Sequence, residues 1–325
     1  MTVARFPSLA HWGAFTALVE NGRVVGCEPF ARDPAPSDML DAIPAMVHSP
    51  LRVARPAIRD GWREGKERTG SDRFHEVSWD EALEAVAEEL ARVRKEFGNT
   101  AILGGSYGWS SAGRVHHARS LLRRFLFLGG GCVDQVGNYS FGAAQYILPR
   151  VIGSFQPVVG DITDWSSIVK HTRLILAFGG LATRNGQVTS GGAGAHSMET
   201  WLRRAKDAGI AFVSISPLNS DAPAFLGAKW IPIRPNTDTA LMLAMAHTLV
   251  DEERYDAQFV ASHCAGFERF RRYLLGLDDG VAKDAQWAEA ITGVAAATIR
   301  ELARRAAATR CMITCAWSLQ RAHHG

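Results

Sequence analysis

The chain has 325 residues, of which 47% are hydrophobic and 21% charged, and its formal net charge at pH 7 is +3. This composition is that of a globular protein long enough for two or three domains. Acidic and basic residues are interspersed, and no apolar run reaches the ~18 residues of a membrane span. We therefore expect no nucleic-acid partner and no insertion into a membrane.

The cysteine pattern and the N-terminus exclude further classes of protein. Five cysteines without framework spacing and without a CxxC pair argue against a disulfide scaffold, a zinc ribbon and an iron–sulfur cluster held by this chain. The first residues contain no apolar stretch and no Arg-Arg pair ahead of one, so no secretory or twin-arginine signal is predicted. A cytoplasmic location is the default expectation.

The first predicted element is a β-hairpin over residues 12–30. Asn21-Gly22 supplies a two-residue turn between two apolar runs, which is a strong hairpin signal. A connection rich in Pro and Asp follows, from residue 29 to about 56, and is predicted to run over the surface.

A helix is predicted after Ser78. Ser78 and Glu81 have the spacing of a capping box, in which each side chain bonds a backbone amide at the helix start. Gly98 ends the helix. Helical spacing predicts that one face is buried, formed by Leu83, Val86, Leu90 and Val93.

Two glycine-framed segments, 104–111 and 137–142, set hydroxyls and aromatic rings among glycines. A short buried strand over 101–103 is predicted to lead into the first, and a helix over about 114–128 lies between them. Glycine permits tight turns and close backbone approach to a ligand. The two segments therefore suggest a bound cofactor with large flat or anionic parts.

From about residue 170 apolar strands alternate with helices. Strands are predicted over 174–178, 210–215, 230–233 and 312–317, and helices over 197–208, 238–250 and 295–308. This alternation predicts a parallel sheet covered on both faces. Ligands bind such sheets beyond the carboxyl ends of the strands, so the loops after these strands are the candidate site.

The predicted fold class is α/β in three parts. We expect a small β-rich hairpin region over 1–60, a partial α/β domain over 61–168 and a Rossmann-like, doubly wound parallel-sheet domain over 169–325. The second part carries the two glycine-framed loops. The sequence stops directly after the last polar loop, so the chain looks truncated.

The strand-end loops disfavour an ordinary nicotinamide dinucleotide site. The glycine-rich loop that contains Arg184 lacks GxGxxG, and Ser216 stands where an acidic residue would close the next strand. Asn236-Thr237-Asp238 follows the third strand. Thr237 or Asp238 could cap the next helix, and a carboxylate there also suits a guanine edge.

Several ordered motifs together give a family resemblance. They are Val77–Ala82, Gly105–Trp109, Tyr139–Gln145, Asn236–Asp238, Ala246–Leu249 and Trp317–Arg321. On these motifs the chain resembles the molybdenum S- and N-oxide reductases of the DMSO reductase family, over about the first half of a typical member. The resemblance implies a bis(molybdopterin guanine dinucleotide) molybdenum cofactor without an iron–sulfur cluster in this chain.

The resemblance also implies roles near the metal. Ser140 matches the serine that ligates molybdenum, and an alkoxide is a hard oxygen ligand suited to that metal. Trp109 matches a tryptophan beside the metal's reactive face. Tyr107 matches a tyrosine whose phenol can donate to the substrate oxygen, and its presence favours sulfoxides over N-oxides.

Further matches concern the cofactor's extended parts. Arg184 replaces a lysine between the pterins, and Ser216-Pro217 replaces an Asp-Pro pair, which weakens that dinucleotide contact. The remaining matches are the guanine-contacting run and two residues of the cofactor and substrate funnel: Asn236, Thr237, Asp238, Trp317 and Arg321.

The function implied is reduction of a small S-oxide, of the biotin sulfoxide, DMSO or methionine sulfoxide type, by oxygen-atom transfer. Electrons would come from an external donor. Three alternatives stay open from the sequence: an N-oxide reductase of the same family, a truncated non-catalytic fragment of such an enzyme, and a nicotinamide-dependent dehydrogenase. The missing GxGxxG disfavours the last.

Overall fold

A computed structural model describes residues 2–106, 109, 117–160 and 162–324. The chain forms two compact units. The first contains residues 1–136 and 187–196, and the second contains 137–186 and 197–325. The three-part division at 60 and 168 stays a prediction.

The first unit opens with an antiparallel sheet of three strands in the order β1-β2-β3: Ala4–Ala10, Gly13–Glu20 and Arg23–Pro29. The predicted hairpin is confirmed as β2 and β3. Asn21 and Gly22 have φ angles of 51° and 75°, as the twist-matched two-residue turn requires. The register shifts between Leu18 and Val19, where the alternation of the sequence is also broken.

The remainder of this unit that the structure describes contains three α-helices and a small two-stranded sheet, joined by loops. Its elements are α1 Ile43–Val47, β4 Ala57–Arg59, β5 Phe74–Glu76, α2 Trp79–Phe97 and α3 Ala118–Leu128. Strands β4 and β5 pair in antiparallel fashion.

Helix α2 begins and ends where the sequence predicts. The Ser78 hydroxyl accepts a hydrogen bond from the Glu81 amide at 3.1 Å, and Gly98 at the C-terminal end has φ 78°. The predicted burial of one face is wrong: Leu83 and Val86 are 59% and 53% exposed, Leu90 and Val93 are only partly covered, and none of the described residues of α2 is buried.

One further prediction in this unit needs correction. Residues 99–101 form a 3₁₀ turn instead of a strand, and Leu103 makes only an isolated parallel bridge with Val133. In α3 the buried side chain is Leu126, whereas Leu128 is 80% exposed.

The second unit is a four-stranded parallel sheet with helices, which confirms the α/β class. The strand order is β8-β7-β6-β9. Its elements, in chain order, are α4 Gly142–Val151, α5 Gln156–Val159, α6 Trp165–His171, β6 Leu174–Phe178, α7 Met198–Asp207, β7 Ala211–Ile215, β8 Lys229–Ile231, α8 Asp238–Asp251, α9 Ala257–His263, α10 Phe267–Leu274, α11 Ala285–Thr292, α12 Ala296–Ala308 and β9 Cys311–Cys315.

Helices bury both faces of this sheet at its central strand, β6. Successive side chains of a strand point to opposite faces. Leu174 and Leu176 of β6 pack in a cluster with residues of α8, α11 and α12, whereas Ile175 packs in a second cluster with residues of α6 and α7. All five residues of β6 are at most 1% exposed, which explains its continuous apolar sequence.

Within the described part of the chain, no helix is both long enough and apolar enough to cross a bilayer.

Candidate functional site

The loops at the carboxyl ends of β6, β7 and β9 approach one another closely. Gly179 and Gly180 follow β6 with φ angles of 83° and 78°. A Cβ on Gly179 would lie 2.5 Å from the Cβ of Ala316, after β9, and one on Gly180 would lie 2.4 Å from the carbonyl oxygen of Asp221, after β7. The glycines are therefore required by this close approach, and by backbone angles that other residues rarely adopt.

Asp221 joins two of the predicted site residues. Its carboxylate lies 2.5 Å from the Arg184 guanidinium and accepts a hydrogen bond of 2.5 Å from the Ser216 hydroxyl. Its backbone carbonyl also accepts from the Leu181 amide at 2.7 Å. Asp221 is not among the residues predicted from the sequence. The only local indication is that an acidic residue stands five positions after Ser216, which follows β7.

The run 236–238 stands at the start of α8. Asn236 has φ 64°, and its side-chain oxygen accepts from the His324 amide at 3.2 Å. Thr237 occupies the N-cap position of α8, one of the two positions predicted for a cap, but its hydroxyl donates to the Arg234 carbonyl at 2.7 Å and makes no capping hydrogen bond.

Asp238 is the first residue of α8. It is half-buried, and this burial raises the pKa of its carboxyl group. No other residue in the described ranges donates a hydrogen bond to the carboxylate. It is therefore open to donors from a ligand.

Ser140 lies in the loop before α4, and its backbone is held from the loop after β9. The Ser140 carbonyl accepts from the Gln320 amide at 2.9 Å and from the Arg321 Nε at 2.7 Å. The Ser140 side chain is exposed. Across the residues that the structure describes, its hydroxyl has no hydrogen-bond partner. The structure thus brings together Ser140 and Arg321, two of the predicted site residues.

An aromatic cluster flanks this loop. The ring of Phe141 lies 5.4 Å from that of Phe155 and 5.1 Å from that of Trp317 between centroids. Such contacts stabilise a pair by about 0.5–1.5 kcal/mol beyond the area buried. Trp317 is 39% exposed, so part of its ring remains available to a ligand.

Trp109, a predicted residue of the first glycine-framed segment, lies in the other unit. Trp109 packs edge-on against His11, with ring centroids 5.4 Å apart and planes inclined by 74°. Tyr107 lies outside the described residues.

Comparison with known families identifies the chain. Residues 52–325 match the family "Molybdopterin oxidoreductase", and residues 8–48 match "Molybdopterin oxidoreductase N-terminal domain". The chain belongs to the molybdopterin oxidoreductase family. The resemblance predicted from the motifs is confirmed.

Three curated relatives of this chain are S- or N-oxide reductases by name. Biotin sulfoxide reductase of Cereibacter sphaeroides is 45% identical in an alignment of 306 positions that covers 93% of this chain and 41% of the relative. Dimethyl sulfoxide/trimethylamine N-oxide reductase of Rhodobacter capsulatus is 40% identical in an alignment of 321 positions that covers 97% of this chain and 39% of the relative. Trimethylamine-N-oxide reductase 1 of Escherichia coli (strain K12) is 41% identical in an alignment of 327 positions that covers 97% of this chain and 38% of the relative.

The chain spans about two fifths of the length of these relatives. Among solved structures, "Acetylene Hydratase from Pelobacter acetylenicus" superposes with a TM-score of 0.60 at 21% identity. The match covers 97% of this chain and 40% of that one. At this identity the likeness shows a shared fold.

The residues at the sheet edge fit the cofactor for which the family is named. Ser140 presents a free hydroxyl oxygen, a hard donor of the kind that suits a high-valent metal. Asp238 presents a carboxylate with unused acceptor capacity, and Trp317 presents part of an aromatic face. This combination suits a large, polar, partly flat ligand that carries a metal.

Proposed function

We propose that the protein to which this chain belongs is a molybdenum-dependent S-oxide reductase. The observation that carries the proposal is the Ser140 loop: its hydroxyl is exposed and unpartnered, while its backbone carbonyl is held by Gln320 and Arg321. A side chain presented in this way on a fixed backbone suits a metal ligand. The name of the relative at 45% identity, biotin sulfoxide reductase, supports the substrate class.

The cofactor we propose is bis(molybdopterin guanine dinucleotide). When bound, it supplies the two-electron chemistry by which oxygen leaves the substrate. Ser140 provides one oxygen ligand to the metal. The Asp238 carboxylate, with Asn236 and Thr237 before it, accepts hydrogen bonds from the guanine. Burial makes this carboxylate easier to protonate and strengthens its hydrogen bonds when it is ionised, since fewer waters compete.

Other residues extend the same proposal. Arg184 contributes positive charge near the pterins, and its pairing with Asp221 holds the guanidinium in one direction. Ser216 contacts the dinucleotide through its backbone, because its hydroxyl already donates to Asp221. Trp317 and Arg321 line the approach of cofactor and substrate.

The first glycine-framed segment supplies the substrate side. Tyr107 donates its phenolic hydrogen to the S-oxide oxygen, which stabilises charge that develops there as the S–O bond breaks. The resemblance gives Trp109 a role near the metal, where its indole N–H would donate a hydrogen bond. Electrons come from an external donor, no iron–sulfur cluster is held by this chain, and the protein acts in the cytoplasm.

An N-oxide is the second candidate substrate. Relatives at 40% and 41% identity are named for trimethylamine N-oxide, one of them together with dimethyl sulfoxide. Turnover of a sulfoxide against that of trimethylamine N-oxide at matched concentrations separates the two. We expect the sulfoxide to have the higher kcat/KM because Tyr107 is present.

The test uses the full-length protein that contains this chain. We expect molybdenum by elemental analysis and sulfoxide turnover with a reduced viologen donor. Ser140→Ala is expected to lower kcat about 100-fold or more, as loss of a group that tunes a metal does. Ser71→Ala, an exposed serine of the first unit, is the control and keeps full activity.

Each outcome tests a different part of the proposed function. Protein without molybdenum, purified from cells able to make the cofactor, would refute the proposed function. A fully active Ser140→Ala variant would refute only the ligand assignment. Molybdenum bound without turnover of either oxide would favour a non-catalytic role.

A further inference from the structure

Helix α4, which follows the Ser140 loop, begins without a cap of its own. Its N-cap residue is Phe141, whose side chain cannot accept a hydrogen bond from the first amides of the helix. These amides have no partner inside a helix, and an N-cap side chain of Ser, Thr, Asp or Asn normally satisfies one of them. The start of α4 therefore needs an acceptor from elsewhere.

Gln320 supplies that acceptor from 176 residues away in the sequence. Its Oε1 accepts from the Ala144 amide at 2.9 Å. Ala144 is the third residue of α4, the position that a local cap would serve. The Nε2 of the same side chain donates to the Ser140 carbonyl at 2.9 Å. Both ends of one amide group thus hold the two sides of the loop-to-helix junction.

Neighbouring contacts show that the junction is tied at several points. The Arg321 Nε also donates to the Ser140 carbonyl, at 2.7 Å. Asn138 accepts from the Phe141 amide at 2.9 Å through its side-chain oxygen. Arg321 reaches one side of the junction, whereas Gln320 reaches both.

We infer that Gln320 is a positioning residue, which caps α4 from a distance and thereby fixes where Ser140 presents its hydroxyl. The functional part of this inference rests on the proposed role of Ser140 as a metal ligand, and the structural part does not. A primary amide is suited to the task because it offers an acceptor and a donor side by side.

Three substitutions distinguish the role of the Gln320 acceptor from that of its donor. Gln320→Met has similar volume and neither hydrogen bond. Gln320→Glu keeps an acceptor for the Ala144 amide but, when ionised, offers no donor to the Ser140 carbonyl. Arg321→Met removes the other donor to Ser140 and leaves the cap in place.

The first measurement is hydrogen exchange of the Ala144 amide in the 325-residue chain. We expect Gln320→Met to speed this exchange about tenfold, the factor that corresponds to a hydrogen bond of about 1.4 kcal/mol. Gln320→Glu and Arg321→Met are expected to leave it within about twofold of the unchanged chain.

The second measurement is X-ray absorption at the molybdenum edge of the full-length, metal-loaded protein. We expect Gln320→Met to change the oxygen ligand shell in the direction that Ser140→Ala does, and an exposed-site control, Ser71→Ala, to leave it unchanged. A residue that served only overall stability would not alter this spectrum in correctly folded protein.

The outcomes are distinguishable. Unchanged Ala144 exchange in a folded Gln320→Met chain would overturn the inference whatever the metal does. If Gln320→Met does not fold, the test uses Gln320→Glu, which keeps the acceptor for the Ala144 amide. Ala144 exchange in that variant as fast as in an unfolded peptide would overturn the inference. A Ser140→Ala spectrum identical to that of the unchanged protein would instead refute the proposed ligand, and the capping result would stand.

Discussion

Replacement of Asp33 by alanine should be among the most destabilising changes in the first unit. The side chains of Asp33 and His196 are each 2% exposed, and the Asp33 Oδ2 lies 2.6 Å from the His196 Nδ1. The other carboxylate oxygen accepts from the backbone amides of His196 at 2.9 Å and Ala35 at 3.1 Å. The His196 Nε2 lies 3.2 Å from the Gln187 carbonyl. Asp33→Ala would leave these buried donors without an acceptor.

The magnitude follows from the hydrogen bonds that are broken. A buried donor left without an acceptor costs about 1–3 kcal/mol, and a carboxylate bonds its donors more strongly than a neutral group does, so the loss of three such bonds should cost about 3–5 kcal/mol. Asp33→Asn should cost less, about 1–2 kcal/mol, because the amide oxygen still accepts from the two backbone amides. The order of stability is therefore unchanged chain, then Asn, then Ala.

Urea unfolding of the chain at pH 7 measures these differences. Asp38→Ala is the matched control, since Asp38 is exposed and such changes shift stability by about 0.5 kcal/mol or less. An Asp33→Ala variant within about 1 kcal/mol of the unchanged chain would refute the reasoning, and so would an Asn variant less stable than the Ala variant.

The same carboxylate predicts a pH dependence. Burial alone would raise the pKa of Asp33, but the hydrogen bonds from His196 and Ala35 outweigh it and hold the pKa below its ordinary value of 3.8. A depressed carboxyl pKa stabilises the fold above the unfolded-state pKa, and this stability is lost as pH falls through the folded-state pKa. The unchanged chain should lose this contribution below about pH 4, whereas Asp33→Asn should not show that part of the acid loss.

Two further changes have defined outcomes. Gly179→Ala should lower stability by about 2–5 kcal/mol, because a Cβ at φ 83° would also meet the Ala316 Cβ at 2.5 Å. Gly209→Ala, at φ 78° with open space around it, is the control and should cost about 1–2 kcal/mol in thermal unfolding. Equal costs would show that the clash is relieved. The Arg304 hydrogen bond lowers the pKa of Glu252 to about 2, so NMR titration of that carboxyl should give a midpoint near 2; one near 4.5 would contradict the pairing.

Local patterns in the sequence predict much of the fold. Asn21-Gly22 marks the hairpin because few residue pairs adopt two positive φ angles, and Ser78 with Glu81 marks the start of α2 because the capping geometry is local. The apolar run of β6 marks a fully buried parallel strand. In contrast, β1 was not predicted, because its side chains are nearly all exposed and it carries no period-2 apolar pattern.

The partners of the site residues could not be predicted in the same way. Asp33 and His196 are 163 positions apart, and Gln320 and Ala144 are 176 apart. Asp221 is close in sequence to Ser216, but nothing in that stretch shows that Arg184 will face it. Such contacts depend on which loops the sheet brings to one edge, and a local pattern contains no information about that.

Residues 187–196 belong to the first unit, although the chain before and after them belongs to the second. This arrangement affects where the polypeptide can be cleaved or shortened. The Ala14 amide donates to the Ala193 carbonyl and the Thr189 amide donates to the His11 carbonyl, so this short segment completes the N-terminal sheet region. A polypeptide that ends at Val136 would lack residues 187–196, and with them His196, the partner of Asp33. The first unit is therefore built from two separate stretches of the chain. A protease nick within 187–196 should leave the two fragments associated, whereas expression of residues 1–136 alone should give an unstable product.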